Sequence, residues 1–287
     1  MPRRSSYDSA WKEALLHYLP AFFEFFFPTI YPEVDWCQPG RFLDKELQAI
    51  APRSRAGRRL LDSLVELRLH NGRGILVLVH IEIQTQQDPD FAFRMLCYRA
   101  RILEHYRRDV CSLAILGDNQ PGWQPDNYAQ ELWGSSIEVK FPIVKLWNYR
   151  SQLAQLEESP NPFALVVAST LHAHQARPAS DERREAKFRL VRGLYRRGFD
   201  REEVLRLFRL IDHILQLSST QETKFQDDLK KLEESMAKPY VTSIERMGLK
   251  KGREEGRQEG REEGRQVGRQ EGLEQGRAEE RFNLARR

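Results

Sequence analysis

The sequence predicts an α/β fold in three parts: a mixed sheet flanked by helices over residues 1–148, a helical region over 149–240, and a charged glycine-repeat tail over 241–287. Three observations carry that prediction. "RLLDSLVELRLHNGRGILVLVHIEIQTQ" holds two β-rich runs around Asn71-Gly72, a strong hairpin cue. "FAFRMLCYRARILEHYRRD" then has helical spacing, and "VCSLAILGD" after it is a short apolar run ending in turn residues, the pattern of a buried strand. From about Tyr149 onward, apolar residues recur near i, i+3 and i+4 through four successive segments.

Taken in order, the chain opens with a helix expected from about Tyr7 to Tyr18, then a second short helix with Pro20 in its first position. "YLPAFFEFFFPTIY" is strongly apolar, but Glu24 interrupts it and Pro20 and Pro28 bracket it, so it is too short to span a bilayer. No small-residue cleavage site follows, and the expected location is the cytoplasm. Cys37, Cys97 and Cys111 lie far apart, which suits a reducing compartment and neither a disulfide framework nor a zinc site. A short strand is expected near Phe42 to Ile50, ahead of the hairpin. After the buried strand, "SIEVKFPIVKLW" is a further strand, with Pro142 confining it to an edge or a bulge. In the helical region Asp181 and Asp200 are the expected N-caps and Gly198 a C-cap.

Of the 287 residues, 40% are apolar and 31% charged, as in a globular chain with one unusually charged part. The net charge of +4 does not by itself point to nucleic acid. In the tail, Gly recurs at 252, 256, 260, 264, 268, 272 and 276. On a helix that period builds a slowly drifting glycine ridge, each glycine costing about 1 kcal/mol relative to alanine. Only Val267 and Leu273 are apolar within the repeat, so neither a heptad coiled coil nor a membrane span fits. Basic and acidic residues nearly balance there, which makes it a poor DNA-binding arm. Two readings stay open: a solvated, partly helical low-complexity tail, or a ridge along which two copies associate as a homo-oligomer.

The hairpin register follows from its apolar pattern. A two-residue turn at Asn71-Gly72 sets Glu66 and Arg68 on the face of Ile75 and Val77. A three-residue loop, Asn71-Gly72-Arg73, instead joins Val65, Leu67 and Leu69 to Ile75, Val77 and Val79 on one apolar face. A slip of one residue exchanges faces, so the pattern selects the second arrangement. Asp62 then lies opposite Glu82, with Cα atoms roughly 4.5 to 5.5 Å apart. Gln84 follows on the same face, and leucines (Leu64, Leu76, Leu78) lie deeper along it. Two carboxylates so close need something positive between them. Either a hard divalent cation supplies it, or the polar sheet end is balanced by nearby arginines. His80 and His105 are read as structural before functional.

The order helix, strand, hairpin, helix, strand, with Asp early in one hairpin strand and Glu-x-Gln late in the next, resembles the PD-(D/E)XK nuclease superfamily. More narrowly it is similar to the bacterial recombination-promoting nuclease and transposase-like family, in "YDSAWK", "LLDSLVEL", "VHIEIQTQ", "FRMLCYRARI", "FPIVKLW" and the charged glycine-repeat tail. The resemblance covers roughly residues 5 to 148. It implies a restriction-endonuclease-like αβββαβ core and Mg2+-dependent hydrolysis of DNA phosphodiesters, in recombination or mobile-element chemistry. Carried over by position, Asp62 and Glu82 become the metal-binding carboxylates, and Gln84 stands where the superfamily usually has lysine. Asp8 approaches from the first helix, and Arg94 and Tyr98 from the helix behind the hairpin. Arg53, Arg55, Arg58 and Arg59, just ahead of Asp62, are the candidate DNA contacts, to phosphate. Gln84 is neutral and can only hydrogen-bond. The alternative is therefore a catalytically weak or inactive DNA-binding scaffold that oligomerises through its tail.

Overall fold

Alternating leucines, valines and isoleucines build the centre of the protein, because each strand they form buries both faces. The computed structural model describes residues 4–50, 61–70, 76–197 and 199–234. In chain order these form α1 (Arg4–Phe26), β1 (Arg41–Phe42), α2 (Asp44–Ile50), β2 (Leu61–Arg68), β3 (Leu76–Gln84), α3 (Phe91–Tyr106) and β4 (Val110–Leu116). There follow β5 (Asn127–Leu132), β6 (Ser135–Lys140), β7 (Ile143–Lys145), α4 (Leu153–Glu158) and α5 (Pro162–Gln175). The last helices are α6 (Asp181–Arg196), α7 (Arg201–Ile214) and α8 (Ser219–Glu234). Met1–Leu232 form one compact unit. A second, Glu233–Arg287, lies almost wholly outside the described residues, and with it the glycine repeat.

The main sheet is mixed and runs β1-β2-β3-β4-β7. β1, β2 and β3 are antiparallel neighbours, while β4 and β7 join in parallel. β2 and β3 pair Leu67 with Val77, Val65 with Val79 and Asp62 with Glu82, the register the apolar pattern selects. The turn itself, residues 71–75, lies outside the described residues. One sheet face meets α2 and α3 through Leu43, Leu47, Leu64, Leu78, Tyr98, Ile102 and Val110. On the other face α1 packs against β2. Gly40 sits in that seam, where a Cβ would come within 2.7 Å of Leu19 Cδ2.

α1 runs through both helices expected at the N-terminus, with a break at Tyr18 (φ −130°, ψ 31°) ahead of Pro20. Its apolar run is buried against protein. Trp11, Phe22 and Phe26 each have ring centroids within about 6 Å of Phe163 on α5, a separation typical of aromatic pairs. α5 is buried continuously from Pro162 to His172, since α1, α4, α6 and α7 surround it. Among the described residues no helix is long and apolar enough to cross a membrane.

Three expectations need correction. The strand expected near Phe42 to Ile50 is only Arg41–Phe42, and α2 follows. Leu43 and Leu47, four residues apart, are both buried, so helical rather than alternating spacing wins there. "SIEVKFPIVKLW" is two strands in two sheets. Pro142 separates β6, which pairs with β5, from β7 at the edge of the main sheet. The Pro142 carbonyl accepts from Ala114 N at 3.0 Å, so a residue with no N–H to donate still bonds to β4 as an acceptor. Ser180, not Asp181, caps α6 by accepting from Arg183 N. Asp200 does cap α7, in a reciprocal capping box with Glu203. Gly198 lies outside the described residues.

The core packing sets a measurable expectation. Leu78 has no exposed surface, so Leu78→Ala should lower the unfolding free energy by about 2–5 kcal/mol, read from urea titration.

Candidate functional site

The site grows from the late half of β3. Alternation puts His80, Glu82 and Gln84 on the face that α3 covers. The flanking strands align it laterally, Asp62 on β2 and Ala114 on β4 lying level with Glu82, and Leu64 and Ser112 level with His80. The face is far from being a wet sheet end. His80 and Glu82 are 0% exposed and Gln84 is 5% exposed. A carboxylate that far from water costs several kcal/mol unless a cation and hydrogen bonds meet it.

Arg94, in the first turn of α3, meets it. Its Nη2 donates to Glu82 Oε1 and to Gln84 Oε1, both at 3.0 Å, and its Nη1 donates to the Asp88 carboxylate. The guanidinium carbon lies 5.3 Å from the Phe91 ring centroid. One planar fork thus serves three oxygen-bearing side chains, which a lysine's single point charge cannot do in the same way. Gln84 is oriented from both ends, since its Nε2 donates to the Gln86 carbonyl at 2.6 Å. Burial alone would lower the Arg94 pKa, but the Glu82 charge and the hydrogen bonds to Asp88 and Glu82 outweigh it and raise it. Arg94 stays protonated.

Four residues along α3 from Arg94, Tyr98 falls on the same helix face and packs its ring 4.8 Å from that of His80. His80 Nε2 is 3.8 Å from Glu82 Oε2. Further down the face, in the second half of β2, Glu66 is held by Arg41 at 2.8 Å and by Arg108. Burial pushes the Glu66 carboxyl up, yet the hydrogen bond and charge of Arg108, then those of Arg41, hold it below its ordinary value.

The structure therefore brings Glu82, Gln84, Arg94 and Tyr98 together, and places the Asp62 backbone level with Glu82. The side chains of Asp62 and Asp8 lie outside the described residues, as do Arg53, Arg55, Arg58 and Arg59 altogether. Asp88 is a participant that sequence reasoning passed over. Its signal was "DPDF", an acidic turn just before a helix, in which Asp88 also accepts from Asp90 N at 3.0 Å. Among the described residues no group of three or more His, Cys, Asp or Glu side chains converges as a metal site. The donors at Glu82 nevertheless suit a hard divalent ion in kind: a carboxylate on β3, an amide oxygen two residues on, and an aspartate at the paired position of β2. No family model, curated protein or solved structure matches the chain.

Two predictions follow from these pairs. Arg94→Gln leaves a buried carboxylate without its cation and should cost about 3–5 kcal/mol of stability. Adding Glu82→Gln should recover part of that loss, and the coupling is measured by a double-mutant cycle in urea. Glu66 supplies the pH test. A carboxylate whose folded pKa is depressed stabilises the fold above its unfolded pKa and loses that contribution as pH falls through the lower folded value. Stability should thus fall on acidification below the ordinary glutamate range. In Glu66→Gln the same pH series should be flatter.

Proposed function

We propose that the chain is a metal-dependent DNA endonuclease of the PD-(D/E)XK kind, with a restriction-endonuclease-like core in its N-terminal half. The observation that carries this reading is the direct pairing of Asp62 with Glu82, with Gln84 next on the same face. That is the arrangement expected for two metal-binding carboxylates on adjacent strands. The resemblance in order and spacing along "LLDSLVEL" and "VHIEIQTQ" adds support.

In this reading Asp62 and Glu82 would hold Mg2+. When bound, the ion supplies Lewis-acid activation of a water and neutralises charge on the phosphate. The chain's own residues do the positioning. Arg94 holds Glu82 and Gln84 together on one face of β3, and Asp88 holds Arg94. Gln84 has its amide N–H engaged by the Gln86 carbonyl, so its oxygen is what faces the site. It orients by hydrogen bonding and brings no charge to the phosphate, unlike a lysine there. Arg53, Arg55, Arg58 and Arg59 are the proposed phosphate contacts, and the glycine-repeat tail the proposed means of self-association, in the cytoplasm.

One observation favours a second reading. Glu82 is fully buried and already neutralised by Arg94, which suits a DNA-binding scaffold that keeps the fold and has little or no hydrolytic activity. Supercoiled plasmid with Mg2+ separates the two. The nuclease nicks plasmid, and Glu82→Ala, shown folded by circular dichroism, loses the activity. Equal nicking by both forms removes Glu82 from the site. Salt-sensitive DNA binding by both forms without cleavage establishes the scaffold.

A further inference from the structure

Arg94 differs from the fully buried cations of this fold. Lys187, 0% exposed, joins Asp212 at 2.6 Å and Glu222 at 3.2 Å, and so ties α6 to α7 and α8. Lys145 joins Asp118 and the Trp123 carbonyl, and ties β7 to the loop after β4. Both have side chains shut away from water, and both link structural elements. Arg94 differs in its partners and its position. Its side chain and that of Asp88 are each 13% exposed, whereas Glu82 beneath is 0% exposed. The guanidinium is the partly exposed member of the pair, and the carboxylate the buried one.

We infer that Arg94 is a built-in counter-ion at a cation cradle, and that a divalent metal ion binds at Glu82 by displacing the Arg94 guanidinium onto Asp88. This rests on the metal reading above and says what limits metal affinity in this chain. Three points carry it. The oxygens Arg94 engages, Glu82 Oε1 and Gln84 Oε1, are hard donors of the sort a divalent ion takes. Of the pair, only Arg94 presents side-chain surface to solvent. The guanidinium also keeps a carboxylate partner when it leaves Glu82, because its other nitrogen is already on Asp88. Displacement therefore exchanges one cation for another at the buried carboxylate and leaves the guanidinium paired with Asp88. Because the two cations compete for the same oxygens, the coupling is reciprocal: whatever weakens the Arg94–Glu82 pair tightens metal binding.

The test uses the full chain and Mn2+, with binding read by calorimetry and melting compared in chelator and in Mn2+. Arg94→Gln should bind Mn2+ on the order of tenfold more tightly than the natural chain. It should also melt lower in chelator and regain more of its Tm when Mn2+ is added, since a ligand of the folded state stabilises it. Glu82→Gln should abolish binding. If Arg94→Gln does not fold in chelator, Arg94→Lys, which keeps the charge but not the fork, should bind with affinity between the natural chain and the tenfold gain. Mn2+ affinity that depends on Glu82 but is unchanged or weakened in both Arg94 variants overturns the displacement and leaves the metal reading standing. Absence of any Glu82-dependent Mn2+ binding, in the natural chain and the variants alike, overturns both.

Discussion

A carboxylate with no surface in water can persist in a folded protein only beside a cation that is itself held in place, and Glu82 sets that condition for this fold. The sheet puts Glu82 on the face that α3 covers, and the cation that meets it comes from α3. Arg94 comes from its first turn, where it reaches Glu82 and Gln84 on β3 and Asp88 in the connecting segment. The direction of α3 over the sheet and the path of residues 85–90 are thus tied to one ionic cluster. Stacking extends the same constraint, for Arg94 lies over Phe91 and Tyr98 packs on His80. The polar cluster and the apolar cluster of Leu64, Leu78 and Ile102 share one interface, and neither can shift alone.

The remaining layers support that interface from behind. α1 covers the opposite sheet face and is itself covered by α5, with Phe163 at the centre of an aromatic group drawn from Trp11, Phe22 and Phe26. The parallel strands β4 and β7 extend the sheet, and β7 pairs with Ala114–Leu116, the part of β4 level with Glu82 to Gln84. His174, at the end of α5, hydrogen-bonds the Gly117 carbonyl at 2.7 Å, and Gly117 N donates to the Gln84 carbonyl at 2.8 Å. The helical region is therefore linked through two hydrogen bonds to the backbone of the candidate site.

Legibility varied with how local the cause was. The register of β2 and β3 was readable because a one-residue slip would have moved every apolar side chain to the other face. The α7 cap was readable because Asp200 and Glu203 have the spacing of a capping box. β5 was missed since "NYAQEL" is almost wholly exposed and has no half-buried alternation to detect. Its turn was missed too. Trp133 and Gly134 both have positive φ, 51° and 81°, in a two-residue hairpin, and tryptophan is not the residue one looks for there. α2 was read as a strand because seven residues are too few for either period to dominate. Asp88 was passed over because its role depends on Arg94 six residues on, across a turn whose geometry no periodicity encodes.

The α/β class, the hairpin register, and hence the pairing of Asp62 with Glu82 and the common face of Glu82 and Gln84, are legible in the residue pattern alone. All of these follow from a two-residue side-chain period and short-range turn chemistry. How Glu82 is neutralised depends on the packing of the layers. Burial sets the need for a cation, and burial depends on which helix covers the strand face. Among the candidate arginines, the packing of α3 brought Arg94 within 3.0 Å of both Glu82 and Gln84. Distance and dielectric at a buried charge are properties of the packed layers, and no stretch of sequence carries them alone.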